Sequence, residues 1–406
     1  MRILFVVQRY GNDVNGGAEQ HCRWLAETMA EFGHETHVVT TRARDYTSWK
    51  DHYPGGLEVL NGVTVHRFGV DTPRDMTAFN SFSEQIDFVG HSHSLDVELE
   101  WLTAQGPVSS AFDAWLDANA DQFDVAVVFT YLYRTAHYAV HRLRHRVPIA
   151  MHATAHDEPP FHLPTIQALL SRVDLFLCST PEESDLLAQT VGASSRRAVV
   201  GVGVPDRPGV DRRAELQLLG LNEDDRFALI LGRVDGSKGV LQAVRALSTV
   251  EGDGCAPPRV VVAGQNVAGL RSDNSTTFLG YVSDDQVTAL LQSCTVLVQP
   301  SRWESFSLVL CEAWAAAKPV VVNGLSDVMA GHVLRSQGGL TYQTDQQLRH
   351  AVSRLMSDPW ACERLGSAGA RYVRSQFDPV TVGRRIEREL SALSLGLKAE
   401  QKSTRR

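Results

Sequence analysis

Ile3, Leu4, Phe5, Val6 and Val7 form an unbroken apolar run, which predicts a strand buried on both faces of a parallel sheet. From Gly17 the period changes: His21, Trp24, Leu25, Thr28, Met29 and Phe32 share one face of a helix. Gly33 is placed to end that helix, and residues 36–40 supply a second strand. A βαβ opening of this kind predicts a doubly wound α/β sheet. Residues 42–123 interrupt the rhythm with a strand pair at 57–60 and 63–68 and helices at 95–105 and 111–119, which reads as an insertion serving a substrate. The alternation resumes with strands at 124–129, 147–151 and 174–178 and a helix at 136–143. Thr180, Pro181, Glu182 and Glu183 then make a capping box with proline in the first turn, and the first half ends at 197–200.

Residues 201–209 are the richest Gly/Pro stretch in mid-chain and predict an interdomain hinge. A second α/β series follows, with strands at 227–231, 259–263, 276–279, 295–298 and 320–322. Helices are expected at 238–247, at 286–291 behind the box that Ser283 opens, and at 308–317, 346–356 and 360–375. The 406-residue length agrees with two domains. The predicted division is an N-terminal Rossmann-like domain over 1–204, a C-terminal one over 205–378, a last helix over 379–397 and a disordered basic tail over 398–406.

Lys and Arg number 39 against 47 Asp and Glu, a net charge of −8, which argues against a nucleic-acid partner. No apolar run is long enough to span a bilayer and the first residues form a strand pattern, so a cytoplasmic location is expected. The six cysteines lie far apart with no CxxC pair, and neither a zinc knuckle nor a disulfide framework is signalled.

Two segments carry candidate chemistry. Gly232, Arg233 and residues 234–237, then Lys238 and Gly239, lie between a buried strand and a helix, where amides, the helix dipole and two cations could hold an anion. A plain glycine turn with solvated charges is the alternative. The segment is not a Walker A loop, and no dinucleotide fingerprint is present. Pro300, Ser301 and residues 302–313 follow a later strand. Glu304 falls in its strand-to-helix loop and Glu312 about one turn into the helix, placing two carboxylates that can accept from vicinal hydroxyls. The amides of Phe306, Ser307 and Leu308 begin that helix. Here the alternative is a helix-start carboxylate and a solvated one.

With Asn15, Gly16, Gly17, Ala18 and Glu19 after the first strand, the pair Glu304 and Glu312 behind Pro300-Ser301, and the earlier Arg233 and Lys238, nearly the whole chain resembles the retaining GT-B glycosyltransferases of family GT4. One departure is Ser307, where the family commonly has glycine. The resemblance implies two Rossmann-like domains facing a cleft, with the last helix crossing back to the N-terminal domain. It implies that Arg233 and Lys238 bind a donor diphosphate, Glu304 a hydroxyl of the donor sugar and Glu312 the ribose hydroxyls. Gly16 and Gly17 would let the first loop close over the diphosphate and sugar, and the backbone around Tyr281 and Val282 would meet the nucleobase.

The stretch from His152 to His162 contains His, Asp and Glu, but the prolines at 159 and 160 break any helix that would align a metal site, and HExxH is missing. The family has a cleft histidine after this strand, and His156 is the match. Trp49, His52, Tyr53, Arg74, Asn80 and Trp101 could line an acceptor pocket or simply pack.

The implied activity is retaining hexosyl transfer from a nucleoside-diphosphate sugar, UDP favoured with GDP or dTDP as options. The acceptor is a saccharide, a lipid-linked saccharide at the membrane face or a small molecule, and no metal or other cofactor is required. A sugar-nucleotide epimerase, a phosphorylase and a non-catalytic nucleotide-sugar-binding scaffold are the competing readings.

Overall fold

The structure is a computed structural model that describes every residue except 208, 235–237, 249–256, 267–268 and 405–406, with side chains through residue 396. Pro208 of the expected hinge, Asp235, Gly236 and Ser237 of the cationic loop, Cys255, and the side chains of the basic tail therefore lie outside the described residues. The chain divides into two units, one made of Met1–Gly203 with Val380–Arg406, the other of Val204–Pro379.

The first unit contains β1 (Arg2–Val6), α1 (Gly17–Glu31), β2 (Glu35–Thr41), β3 (Gly56–Leu60), β4 (Val63–Phe68), α2 (Met76–Ser83), α3 (Leu95–Gln105) and α4 (Ser110–Asn119). It continues with β5 (Val125–Phe129), α5 (Arg134–Leu143), β6 (Ile149–His152), α6 (Pro164–Leu170), β7 (Leu175–Cys178), α7 (Pro181–Val191) and β8 (Arg197–Val199). Its sheet runs β3-β4-β2-β1-β5-β6-β7-β8, parallel except for β3. The segment expected as an irregular insertion thus helps to build the sheet: β4 pairs in parallel with β2, Val38 opposite Val65, and β3 folds back on β4. Parity sorts the core. Leu4 and Val6 face one layer with Phe112, Leu116 and Val140, while Ile3 and Phe5 face the other with Leu25 and Met29.

The second unit contains α8 (Arg212–Leu218), β9 (Ala228–Leu231), α9 (Val240–Ser248), β10 (Val260–Ala263), β11 (Thr276–Gly280), α10 (Asp284–Ser293) and β12 (Val296–Gln299). It then has α11 (Leu308–Ala315), β13 (Val320–Asn323), α12 (Asp327–Ser336), β14 (Gly339–Tyr342), α13 (Asp345–Ser357) and α14 (Pro359–Gln376). The sheet is parallel throughout, in the order β11-β10-β9-β12-β13-β14. The expected helix at 238–247 begins later, at Val240, because Gly239 is left-handed (φ 68°) and sits where a Cβ would come within 2.8 Å of the Pro300 carbonyl. Ser283 and Gln286 do form the reciprocal box at α10.

The last helix, α15 (Pro379–Thr404), belongs to the first unit from Val380 onward. Val382, Ile386, Leu390 and Leu393 enter the layer that holds Ile3 and Phe5. Glu387 meets His34 Nε2 at 2.8 Å, and Arg385 donates to the Val200 carbonyl at 2.6 Å. The helix runs past the expected end at 397, so the tail predicted to be disordered is helical through Thr404. Lys398, Ala399, Glu400, Gln401 and Lys402 are all strong helix formers, which accounts for the extension.

Candidate functional site

In the second unit the chain leaves β9 for β10 on one side and returns to β12 on the other, so β9 and β12 bracket a topological switch point, the place where open α/β sheets bind ligands beyond their carboxyl ends. Both chemical segments emerge there. The loop after β9 carries Arg233 and Lys238, both half-buried, and the loop after β12 carries Glu304. Lys238 Nζ lies 2.8 Å from Glu304 Oε1, so two residues 66 positions apart in the sequence meet at the site.

Glu312 lies on α11 and accepts from Arg207 Nη2 at 2.6 Å. Burial pushes the Glu312 carboxyl up, and the Arg207 guanidinium pulls it back. Arg207 also reaches toward Thr288 Oγ1 at 3.4 Å. In the sequence this arginine falls within the expected hinge, and nothing local marks it as a partner of Glu312.

Ser307 is the residue before α11 and has φ 67° and ψ 78°, in the left-handed region. That conformation explains why a glycine suits the position. Its Oγ accepts from Gln299 Nε2 at 3.3 Å, and the first α11 bond runs from Cys311 N to Ser307 O at 3.4 Å, with the amides of Phe306, Ser307 and Leu308 preceding it. Phe306 is buried edge-on against Phe377 and His332, with ring centroids 4.9 and 5.3 Å away. Gly280, the last residue of β11, is left-handed, and after it Tyr281 is 74% exposed and Val282 is buried.

The first unit has its own switch point between β1 and β5. Gly16, at the start of α1, has φ 148°, and a Cβ there would fall 2.2 Å from Glu19 Oε2. Gly17 is the first residue of α1. Glu19 is buried and accepts from Gln8 Nε2 at 2.7 Å and Arg9 Nε at 3.0 Å. This buried cluster went unrecognised in the sequence, although Glu19 was visible beside the glycines.

His156 follows β6. Its Nδ1 is 3.2 Å from the Thr154 carbonyl and its Nε2 3.3 Å from Glu158 Oε2, while Tyr131 Oη donates to Glu158 Oε1 at 2.5 Å. Glu183, seen in the sequence only as part of a cap, has its backbone amide capped by Thr180 Oγ1 at 3.2 Å. Its carboxylate accepts from Ser179 N at 2.6 Å and from Ala155 N at 2.8 Å. Burial pushes this carboxyl up to about 7 against the pull of those amides and of His156.

A cavity of about 930 Å³ is lined by α2, α3 and the segments that follow β2 and β4. Trp49, Phe79, Phe82 and Leu99 give it apolar walls, and Arg74, Asp96 and Glu100 add charge. Arg74 stacks over Trp49 and Phe79 at 5.1 and 4.9 Å, and its Nη1 donates to the Gln105 carbonyl at 2.9 Å. Of the aromatic and polar candidates in this segment, Trp49 and Arg74 line the cavity. Trp101 packs behind it, donating to Ser83 Oγ at 2.9 Å, and Tyr53 turns to Asp13.

Two parallel α/β units, each with glycines and polar groups at a switch point, define the GT-B class of glycosyltransferases. Residues 16–203 match the glycosyl transferase 4-like domain, and residues 211–372 match the glycosyl transferases group 1 model. The chain belongs to the group 1 glycosyltransferases. It is 26% identical over 413 residues to glycogen synthase of Mycobacterium tuberculosis, covering 94% of this chain and 92% of that protein. Among solved structures, sucrose-phosphate synthase from Thermosynechococcus elongatus superposes with a TM-score of 0.73 at 18% identity, covering 97% and 99% of the two chains. Anabaena HepE in complex with UDP-glucose superposes with a TM-score of 0.69 at 18% identity, covering 96% and 99%. No helix among the described residues is long and apolar enough to cross a membrane.

Proposed function

We propose that this glycosyltransferase moves a hexosyl group from a nucleoside-diphosphate sugar, with UDP as the favoured nucleotide, to an acceptor hydroxyl with retention of configuration and without a metal. The observation that carries the reading is the meeting of Lys238 with Glu304 at the β9/β12 switch point, close in sequence to Arg233 and to the start of α11. Breaking the bond between the anomeric carbon and the phosphate oxygen leaves the electron pair on the diphosphate. Arg233, Lys238 and the amides of Phe306, Ser307 and Leu308 are the groups that would meet this charge. The departing oxygen takes the proton of the acceptor hydroxyl as that hydroxyl bonds to the anomeric carbon, so Glu304 orients a sugar hydroxyl and does not attack. Glu312, with Arg207 beside it, takes the ribose hydroxyls, and Tyr281 and Val282 border the base. Gly16 and Gly17 allow the β1 loop to approach the donor, and His156 hydrogen-bonds near the donor sugar and acceptor. The aromatic walls of the 930 Å³ cavity suit a saccharide or an acceptor with an apolar body. UDP-glucose in the HepE structure supports the choice of nucleotide.

Screening nucleotide sugars for slow hydrolysis and thermal stabilisation tests the donor, and NMR of the anomeric proton in the product tests retention. Arg233→Ala is expected to lower turnover by a factor of about 10²–10³, equivalent to roughly 2.7–4 kcal/mol of transition-state stabilisation, with little change in melting temperature. Turnover is expected to survive EDTA. Unchanged turnover in Arg233→Ala, a glycosylated Glu304 in the mass spectrum, or loss of activity with EDTA would each contradict the mechanism.

A further inference from the structure

Glu183 is 1% exposed and lies in the first turn of α7. A carboxylate there strips water from a charged group, a cost met only where the oxygens find strong donors. They find two backbone amides in two different loops. Ser179 N belongs to the turn that opens α7, and Ala155 N belongs to the loop after β6, 28 residues away. The carboxylate therefore ties the neighbouring strands β6 and β7 together beyond the ends of their ladder, which pairs Ala150 with Leu175 and Met151 with Phe176.

The tied amide sits between two residues that need holding. Thr154 before it is left-handed, at φ 52°, a conformation that costs a threonine free energy unless its surroundings impose it. His156 after it is set between the Thr154 carbonyl and Glu158, and Tyr131 fixes Glu158 from the end of β5. The imidazole is thus fixed through its ring by Glu158 and through its backbone by Glu183.

We propose that Glu183 is a positioning residue for His156: by clamping the Ala155 amide it sets where the imidazole stands, and turnover depends on it without its touching the substrate. The inference rests on the assignment of His156 to the reacting centre. An ill-placed group costs rate more than donor affinity, because a shift of about 1 Å can lower a rate by about 10²-fold.

The test combines Glu183→Gln, Glu183→Ala, His156→Ala and the Glu183→Gln/His156→Ala double variant, assayed with the nucleotide sugar that the wild-type protein turns over. Glu183→Ala is expected to lower kcat by about 10²-fold with the donor KM within about threefold of wild type. Glu183→Gln, which keeps one acceptor oxygen, is expected to lose less. In the His156→Ala background Glu183→Gln is expected to have no further effect on kcat. Hydrogen exchange gives a readout independent of turnover: the Ala155 and His156 amides should exchange faster in Glu183→Gln, while those of β6 and β7 keep their protection. Full additivity of the two substitutions, an unchanged kcat in both Glu183 variants, or unchanged exchange at Ala155 would overturn the proposal. If His156→Ala alone leaves turnover intact, the role given to His156 fails instead, and the exchange result still decides whether Glu183 holds the loop.

Discussion

At the scale of single residues, Ser307 shows how one backbone angle constrains a binding loop. A left-handed serine at the head of α11 sets the path of the chain between Phe306 and Leu308, at a conformational cost that glycine would not incur. Ser307→Gly is expected to raise the melting temperature slightly, on the order of 1–3 °C for a gain of about 0.5–1 kcal/mol. Ser307→Val should destabilise by about 1–3 kcal/mol, since a β-branched residue tolerates this region least. Calorimetry on the two variants checks the order, and a Ser307→Val protein as stable as wild type would contradict it. The places of Lys238 and Glu304 in strand-to-helix loops and of Glu312 on a helix were legible in the sequence, because a segment directly after a buried strand has its position fixed. Arg207 and Glu183 were not, since their partners lie 105 and 28 positions away and nothing local announces the pairing.

At the scale of elements, the strands with continuous apolar runs were readable to within a residue or two, β1 and β5 among them, because burial on both faces leaves no room for polar positions. Elements that mix polar positions into the apolar pattern escaped. β14 has only four residues, two of them Gly339 and Thr341, and the inward stripe of α12 includes the polar His332 beside Val328, Met329 and Val333. Such buried histidines have a consequence for acid stability. His21 on α1 packs edge-on against His152 at the end of β6, with ring centroids 4.4 Å apart, and His332 packs under Phe306. Burial pushes His21 and His332 down to about 3, and His152 well below its ordinary value. Their folded affinities for protons are lower than the unfolded value of about 6.5. The stability they allow is complete above about pH 6.5 and is lost as the pH falls toward 3, because only the unfolded chain gains protons in that window. Each such histidine contributes a slope of up to about 1.4 kcal/mol per pH unit. Urea unfolding between pH 7.5 and 5 should therefore show falling stability, with a shallower fall in His21→Leu; an identical slope in that variant would exclude His21 as a source.

At the scale of the whole molecule, the first unit depends on a helix that the chain supplies only after the second unit. Val382, Ile386 and Leu390 are fully buried against β1, β5 and α1. Leu390→Ala is expected to cost the first unit about 2–5 kcal/mol. The second unit, which has its own core of Ile230, Val262, Val298 and Val321, should keep its transition. Differential scanning calorimetry separates the cases: a downward shift of one transition is expected, and equal shifts of both would show that the helix supports the entire chain.

This return of the chain to the first unit alters the usual order of folding during synthesis. Domains generally fold N-terminal first as they leave the ribosome, but here residues 1–203 emerge without the helix that shares one face of their sheet with α1. The second unit is one continuous stretch, from Val204 to Pro379, and is complete while α15 is still being made. The first unit is therefore completed only after the second, and until Val382, Ile386 and Leu390 emerge α1 alone packs on the apolar face that holds Ile3 and Phe5.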